Sequence, residues 1–214
     1  MADIGLFGGT FDPVHNGHLQ CAAAAIAEAE IAHVIFIPSA RPPHKNQKSV
    51  CNFEHRLAML ERAVEKCQQF SVSDVERKRS YPSYTIDTWN LFRQNETTSA
   101  NHFFIIGCDA FLDIKSWYRW QTVLARINFI IVVRPGYDTS GLQILLDQTG
   151  FCTTGHVITD WYNRNGKNTI KLLTTETDDI SSTQIRRLIR QNKPWTHLVD
   201  AQVGSYIREK SLYR

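Results

Sequence analysis

The chain is poor in the features that usually announce a specialised protein. No CxxC occurs, and the five cysteines (Cys21, Cys51, Cys67, Cys108, Cys152) are odd in number and widely spaced. That spacing excludes a zinc ribbon, a dithiol redox motif and a disulfide framework, and predicts free thiols in a reducing cytoplasm. No apolar run approaches 18 residues, so no membrane span is expected. The first ten residues, MADIGLFGGT, hold no basic segment followed by an apolar core, so no secretory signal is expected. Low-complexity tracts and internal repeats are also missing.

Net charge is scarce too. The 24 Lys and Arg against 21 Asp and Glu leave +3 over 214 residues. The distribution is uneven. Residues 180–214 carry seven basic side chains and two acidic ones, a net of +5, which leaves −2 for residues 1–179. A basic tail of this kind suits a nucleic-acid footprint, a solvated helix face or a small anion site. The hydrophobic share of 43% and charged share of 21% are those of a globular chain. The length predicts one domain spanning 1–214, with 180–214 as a helical subregion.

Short apolar runs alternate with helical patterns. Residues 4–7, 34–37, 103–106 and 129–133 read as strands, and 70–75 and 169–174 as two more. The Ala-rich stretch 18–30, then 53–67, 84–94 and 142–148, read as helices. The segment 137–170 is otherwise left without assignment. Ser181 and Ser182 supply an N-cap hydroxyl before a last amphipathic helix. Strand–helix alternation predicts an α/β doubly wound, mostly parallel sheet of Rossmann-like type. Ligands of such sheets bind beyond the carboxyl ends of the strands, so the residues that follow each strand deserve inspection.

After the first expected strand comes GLFGGTFDPVHNGHL, residues 5–19. Paired glycines, Gly8 and Gly9, allow close backbone approach, and a helix start offers unpaired N–H groups and a positive dipole end. His15 and His18 add two donors on that turn, and Gly17 between them leaves room for a purine or a phosphate. The arrangement is an anion cradle that needs no covalent step. A P-loop requires a Lys after the glycines, which is absent, and GxGxxG is not matched by glycines at 5, 8 and 9. Two histidines without HExxH or a near third ligand give no metal site.

The pattern GGTFDPxHxGH resembles the nucleotidyltransferase superfamily whose HxGH signature is shared with class I aminoacyl-tRNA synthetases. The second signature of that group, [IV]SSTxIR, is present as Ile180-Ser181-Ser182-Thr183-Gln184-Ile185-Arg186, 162 residues beyond His18. Further segments are similar to the bacterial nicotinate-mononucleotide adenylyltransferases: Arg41-Pro42-Pro43-His44-Lys45, Pro82-Ser83-Tyr84-Thr85, Gly107-Cys108-Asp109, Ser116-Trp117-Tyr118, Arg134-Pro135-Gly136 and the Ser-Leu-Tyr-Arg ending. The likeness weakens only over about 137–170.

The resemblance implies transfer of the adenylyl group of ATP to nicotinate mononucleotide, giving deamido-NAD and pyrophosphate in NAD biosynthesis. Gly8, Gly9, Thr10, Phe11, His15, His18, Gly107, Asp109, Ser182, Thr183 and Arg186 would bind ATP, with His15, His18 and Arg186 catalytic. His44, Lys45, Tyr84, Thr85, Trp117, Tyr118 and Arg134 would bind the mononucleotide. Trp117 would stack on the pyridine ring. Thr85 and Tyr118 would offer backbone N–H groups to the nicotinate carboxylate, in a site expected to hold no nearby carboxylate of its own. Mg2+ would arrive as the ATP chelate. No nucleic-acid or membrane partner is implied, and a homo-oligomer is compatible with the sequence. Two other readings stay open: a relative with another acceptor, such as nicotinamide mononucleotide, and a nucleotide- or RNA-binding module without turnover. Asp109 also suits a helix N-cap, Lys45 a solvated charge, and Arg187, Arg190 and Lys193 a solvated helix face.

Overall fold

A computed structural model describes residues 2–45, 49–94, 100–133, 138–153, 160–164, 168–174 and 178–214. The apolar runs of the sequence become β1 (Asp3–Gly9), β2 (Ile31–Pro38), β4 (His102–Gly107) and β5 (Asn128–Val133), and Phe70–Val72 forms β3. Three further strands, β6 (Phe151–Thr153), β7 (Asp160–Asn163) and β8 (Thr169–Thr174), complete one eight-stranded sheet in the order β3-β2-β1-β4-β5-β8-β7-β6. Pairing is parallel from β3 through β8 and antiparallel at β8–β7 and β7–β6.

The helices are α1 (Asn16–Ala29), α2 (Phe53–Val64), α3 (Thr85–Gln94), α4 (Cys108–Leu112), α5 (Trp120–Arg126), α6 (Ser140–Gln148), α7 (Ser182–Arg190) and α8 (Ala201–Glu209). They divide by sheet face, and the strand residues show why. On β4 and β5, Phe103, Ile105, Ile130 and Val132 point to one core, with side chains of α1, α2, α7 and α8. Phe104, Ile106, Phe129, Ile131 and Val133 point to the other, with α3, α4, α5 and α6. A strand buried on both faces has no polar alternate positions, hence the continuous apolar runs. Ala22, Ala25 and Ala29 are buried on α1, where small side chains let the helix lie close to the sheet.

The doubly wound, mostly parallel expectation therefore holds. The unassigned 137–170 stretch contributes the antiparallel edge, where Trp161 on β7 is buried in the second core. From β1 the chain moves outward to β2 and β3, then returns to β4 on the other side of β1. This reversal opens a crevice at the carboxyl ends of β1 and β4, between Gly8-Gly9 and Gly107.

Candidate functional site

The crevice is built from the two ends of the described chain. The β1 strand runs into Thr10 and then Phe11, whose φ of 50° lies in the left-handed region. A bulky residue there is strained, and such strain is held where surrounding packing over-determines it. The Phe11 ring is buried edge-on against Phe7, Phe36 and His18. The glycines answer to this packing. A Cβ on Gly9 would lie 2.9 Å from the Phe11 ring, and one on Gly8 2.6 Å from the Phe104 ring.

At the start of α1 the His15 and His18 rings stack, centroids 3.7 Å apart. His15 is buried, and its backbone N–H donates to His18 Nδ1 at 3.2 Å. With Nδ1 accepting, a neutral His18 carries its proton on Nε2 and presents it as a donor. The space expected at Gly17 is already used. A Cβ there would meet His15 Nδ1 at 3.2 Å and the Asp178 carbonyl at 3.4 Å, so this glycine admits the loop before α7 rather than a ligand. Gln20 clamps that loop: its Nε2 donates to Asp178 Oδ2 at 2.8 Å, and its Oε1 accepts from the Asp178 N–H at 2.9 Å.

The α7 signature docks on the same turn. Ser181 caps the helix, its Oγ accepting from the Gln184 N–H. Ser182 Oγ donates to the Pro13 carbonyl at 2.9 Å, and Arg186 Nη1 donates to the Asp12 carbonyl at 2.6 Å. Arg186 Nη2 donates to Thr183 Oγ1 at 3.2 Å, while Thr183 itself is exposed. Thus His15, His18, Ser182 and Arg186 come together around residues 12–18. Arg187, Arg190 and Lys193 are exposed, as a solvated face requires.

Asp12, which no spacing in the sequence singles out, gathers the polar contacts of this region. It is buried, and its Oδ1 accepts from the Tyr213 hydroxyl at 2.8 Å and its Oδ2 from the Cys51 N–H at 3.3 Å. Arg186 Nη1 stands 3.8 Å from Oδ2. Buried Arg56 donates to the Thr10 and Cys51 carbonyls at 2.8 and 2.9 Å. Burial and the Asp12 charge push the Tyr213 phenol well above its ordinary value and raise the Cys51 thiol. Lys45, on the exposed loop, is lowered by desolvation and then by repulsion from Arg186, with Asp12 partly offsetting. Lys45 and Arg186 therefore share one field, linking the Pro-rich loop to α7.

Across β1 lies a cavity of about 580 Å³. Its walls include Gly8, Gly9, Thr10, His44, Lys45, Tyr84, Thr85, Trp117 and Tyr118. The Tyr84 and Tyr118 rings stack at 4.4 Å, and the Arg119 guanidinium lies over the Tyr118 ring, 5.1 Å from its centroid. Thr85 is the first residue of α3, so its N–H is outside the intrahelical ladder. Gly107 caps α4, which removes Asp109 from that role. Asp109 is exposed on the first turn, its carboxylate folded over Gly107, where a Cβ would sit 2.6 Å from Oδ1. Cys108 is buried and its thiol is raised by burial, then by Asp109. Arg134 lies outside the described residues, as do residues 46–48 of the 39–49 loop. Among the described residues no three His, Cys, Asp or Glu side chains converge as a metal cage. No helix there is long and apolar enough to cross a membrane.

One expectation is overturned. The cavity does hold a carboxylate, Glu76, which is buried and paired with buried Arg79 at 3.1 Å. Burial of an acid is tolerated here because a cation and hydrogen-bond donors come with it.

Comparison with known proteins follows the same lines. The cytidylyltransferase-like family model matches residues 6–188. A probable nicotinate-nucleotide adenylyltransferase of Desulfotalea psychrophila is 35% identical, covering 100% of both chains. One of the same name from Serratia proteamaculans is 38% identical over 98% of this chain and 94% of its own. The chain belongs to the nicotinate-nucleotide adenylyltransferase family. Among solved structures, Plasmodium falciparum nicotinic acid mononucleotide adenylyltransferase complexed with NaAD superposes with a TM-score of 0.75 at 19% identity, over 100% of this chain and 98% of that one. That likeness shows the shared fold. Glu76, Arg79, Asp12, Arg56 and Tyr213 join the candidate site only through the fold. Asp12 and Tyr213 lie inside segments that carried the resemblance, and Glu76-x-x-Arg79 precedes Pro82-Ser83-Tyr84-Thr85 by a few residues.

Proposed function

We propose that this chain, as one nucleotidyltransferase domain with residues 180–214 as a helical subregion, transfers the adenylyl group of ATP to nicotinate mononucleotide. The carrying observation is a juxtaposition. The turn bearing His15 and His18 meets Ser182 and Arg186 of α7, and the cavity of about 580 Å³ is lined by Gly8, Gly9 and Thr10, which lead into that turn. One side is rich in phosphate donors. The other is aromatic, as a planar ring requires.

The reaction needs positioning and charge stabilisation only. A phosphate oxygen of the mononucleotide attacks the α-phosphorus of ATP in line, and the bond from that phosphorus to the β-phosphate bridging oxygen breaks. Pyrophosphate leaves with the electron pair, and deamido-NAD is formed. His18 donates from Nε2 to the transferring group, with His15 stacked beside it. Arg186, with Ser182 and Thr183 at the N-terminal turn of α7, takes the β- and γ-phosphates, for which a planar fork suits better than an ammonium. Phe11, Gly107 and Asp109 border the adenosine, Asp109 accepting from ribose hydroxyls. Lys45, with His44 and Arg134, takes the mononucleotide phosphate. Trp117 stacks on the pyridine, and the Thr85 and Tyr118 N–H groups receive its carboxylate. Magnesium enters as part of the Mg–ATP substrate. The five cysteines, all free, support a cytoplasmic setting.

Pyrophosphate release should be measured with Mg–ATP and, in separate reactions, nicotinate mononucleotide, nicotinamide mononucleotide and phosphopantetheine. Rapid turnover is expected with the first. Turnover only with another acceptor, or none at all, overturns the reading.

A further inference from the structure

Glu76 lines the cavity, yet its side chain is only 4% exposed, and that of Arg79 2%. Four donors surround its carboxylate. Oε1 accepts from Arg79 Nη1 at 3.1 Å and from the Thr88 hydroxyl, and Oε2 accepts from the Ala40 N–H at 3.1 Å and from the Ser83 hydroxyl. Arg79 Nη1 also donates to Thr88 Oγ1 at 2.9 Å. A carboxylate has about four lone-pair sites, so none is left for a ligand. Ser83 and Thr88 line the same cavity, and they flank the start of α3 where Thr85 sits.

In the proposed reading of the cavity, on which this inference rests, the substrate carboxylate lies at that helix start. Two carboxylates in one desolvated pocket repel, or one takes up a proton, unless a cation neutralises the resident one. Arg79 does so, and the Ser83 and Thr88 hydroxyls screen the oxygens from the cavity. A carboxamide at the same place presents two N–H donors that need an acceptor, and the saturated Glu76 offers none. We infer that Arg79, Ser83 and Thr88, by neutralising and covering the Glu76 carboxylate, form the element that lets the cavity take a pyridine carboxylate over a carboxamide. They act as positioning residues, with Ser83 and Thr88 as the cover. The same network also holds the loop leading to His44 and Lys45. Glu76 takes the Ala40 N–H, and Ser83 Oγ accepts from the Arg41 N–H at 2.9 Å.

The test is the ratio of kcat/KM for nicotinate mononucleotide to that for nicotinamide mononucleotide, with thermal unfolding measured alongside. Thr88→Val and Ser83→Ala each uncover one lone pair of Glu76 towards the cavity. The double variant should lower the ratio about tenfold or more, chiefly through KM for the acid, the scale of a hydrogen bond to a charged group. Glu76→Gln leaves Arg79 without its counter-charge and should raise the ratio. Opposite signs separate selection from general damage, which would lower both rates together. A ratio that stays within about twofold in the double variant and in Glu76→Gln, with wild-type turnover of the acid intact, overturns the inference alone. Wild type inactive on both mononucleotides overturns the reading of the cavity, and the inference with it.

Discussion

The Tyr213 hydroxyl donates to Asp12 Oδ1 at 2.8 Å, joining residues 201 positions apart beneath the turn that bears the two histidines. Asp12 is buried, so each of its partners holds a charge that would otherwise lie desolvated.

Replacing Tyr213 by Phe should therefore cost about 1–3 kcal/mol of unfolding free energy, read by urea denaturation at neutral pH. The sign of its pH dependence follows from the raised phenol. A group whose folded pKa is raised lends stability that is intact below its unfolded value of about 10 and drains away as pH climbs further. Wild-type stability should accordingly fall more steeply above about pH 10 than that of Tyr213→Phe. Parallel alkaline slopes would remove Tyr213 from this role.

Lys45 has the opposite linkage. Its ammonium is disfavoured in the folded chain, by desolvation and then by Arg186, so the charge is a cost at neutral pH that is relieved as pH rises past the lowered value. Lys45→Met should melt no lower than wild type at pH 7. It should nonetheless raise KM for the mononucleotide by about tenfold, the scale expected on losing one cation from a phosphate. A lower melting temperature with unchanged KM would make Lys45 a structural charge only.

His18→Ala should lower kcat by roughly 10²–10³ with little change in KM for ATP, as for removal of a donor used in the transition state. Arg186→Ala should fall in the same range. Arg186→Lys should recover only part of it, because an ammonium lacks the planar fork by which Nη1 and Nη2 hold the Asp12 carbonyl and Thr183 Oγ1 at once. Full recovery by Lys would show that charge alone suffices.

Gln20→Ala opens the two-bond clamp on Asp178 without touching any phosphate donor. The expected result is a several-fold rise in KM for ATP and a stability loss of about 0.5–1.5 kcal/mol. An unchanged KM would mean that α7 keeps its place through Ser182 and Arg186 alone.

The legible parts of the molecule are those whose cause is local. The apolar runs of β1, β2, β4 and β5 are continuous because helices cover both faces, and 169–174 was readable down to its ends. The β6–β7 edge was not, since three- and four-residue strands are too short to show alternation. Helix α5 was hidden because its seven residues are too few to show a helical period. In the site, glycines and histidines announced themselves by spacing. Glu76 did not, since its Ala40 partner lies 36 residues away and Ser83 and Thr88 reach it only once α3 has folded back beside it. The purpose assigned to Gly17 was wrong for a related reason: its neighbour is the backbone of residue 178, which no local window contains.

The docking of α7 on residues 12–18 has a consequence for synthesis on the ribosome. A nascent chain that has emerged as far as Thr174 already contains all eight strands of the sheet. It still lacks Ser182, Arg186 and Tyr213, and it lacks Ile185, Val203 and Ile207, which cover the core around Phe7 and Phe11. Such a chain has one sheet face covered by α1 and α2 alone, and the turn of residues 12–18 without Arg186. On the proposed roles of Ser182 and Arg186, competence for catalysis is then acquired in the same late step that completes this core.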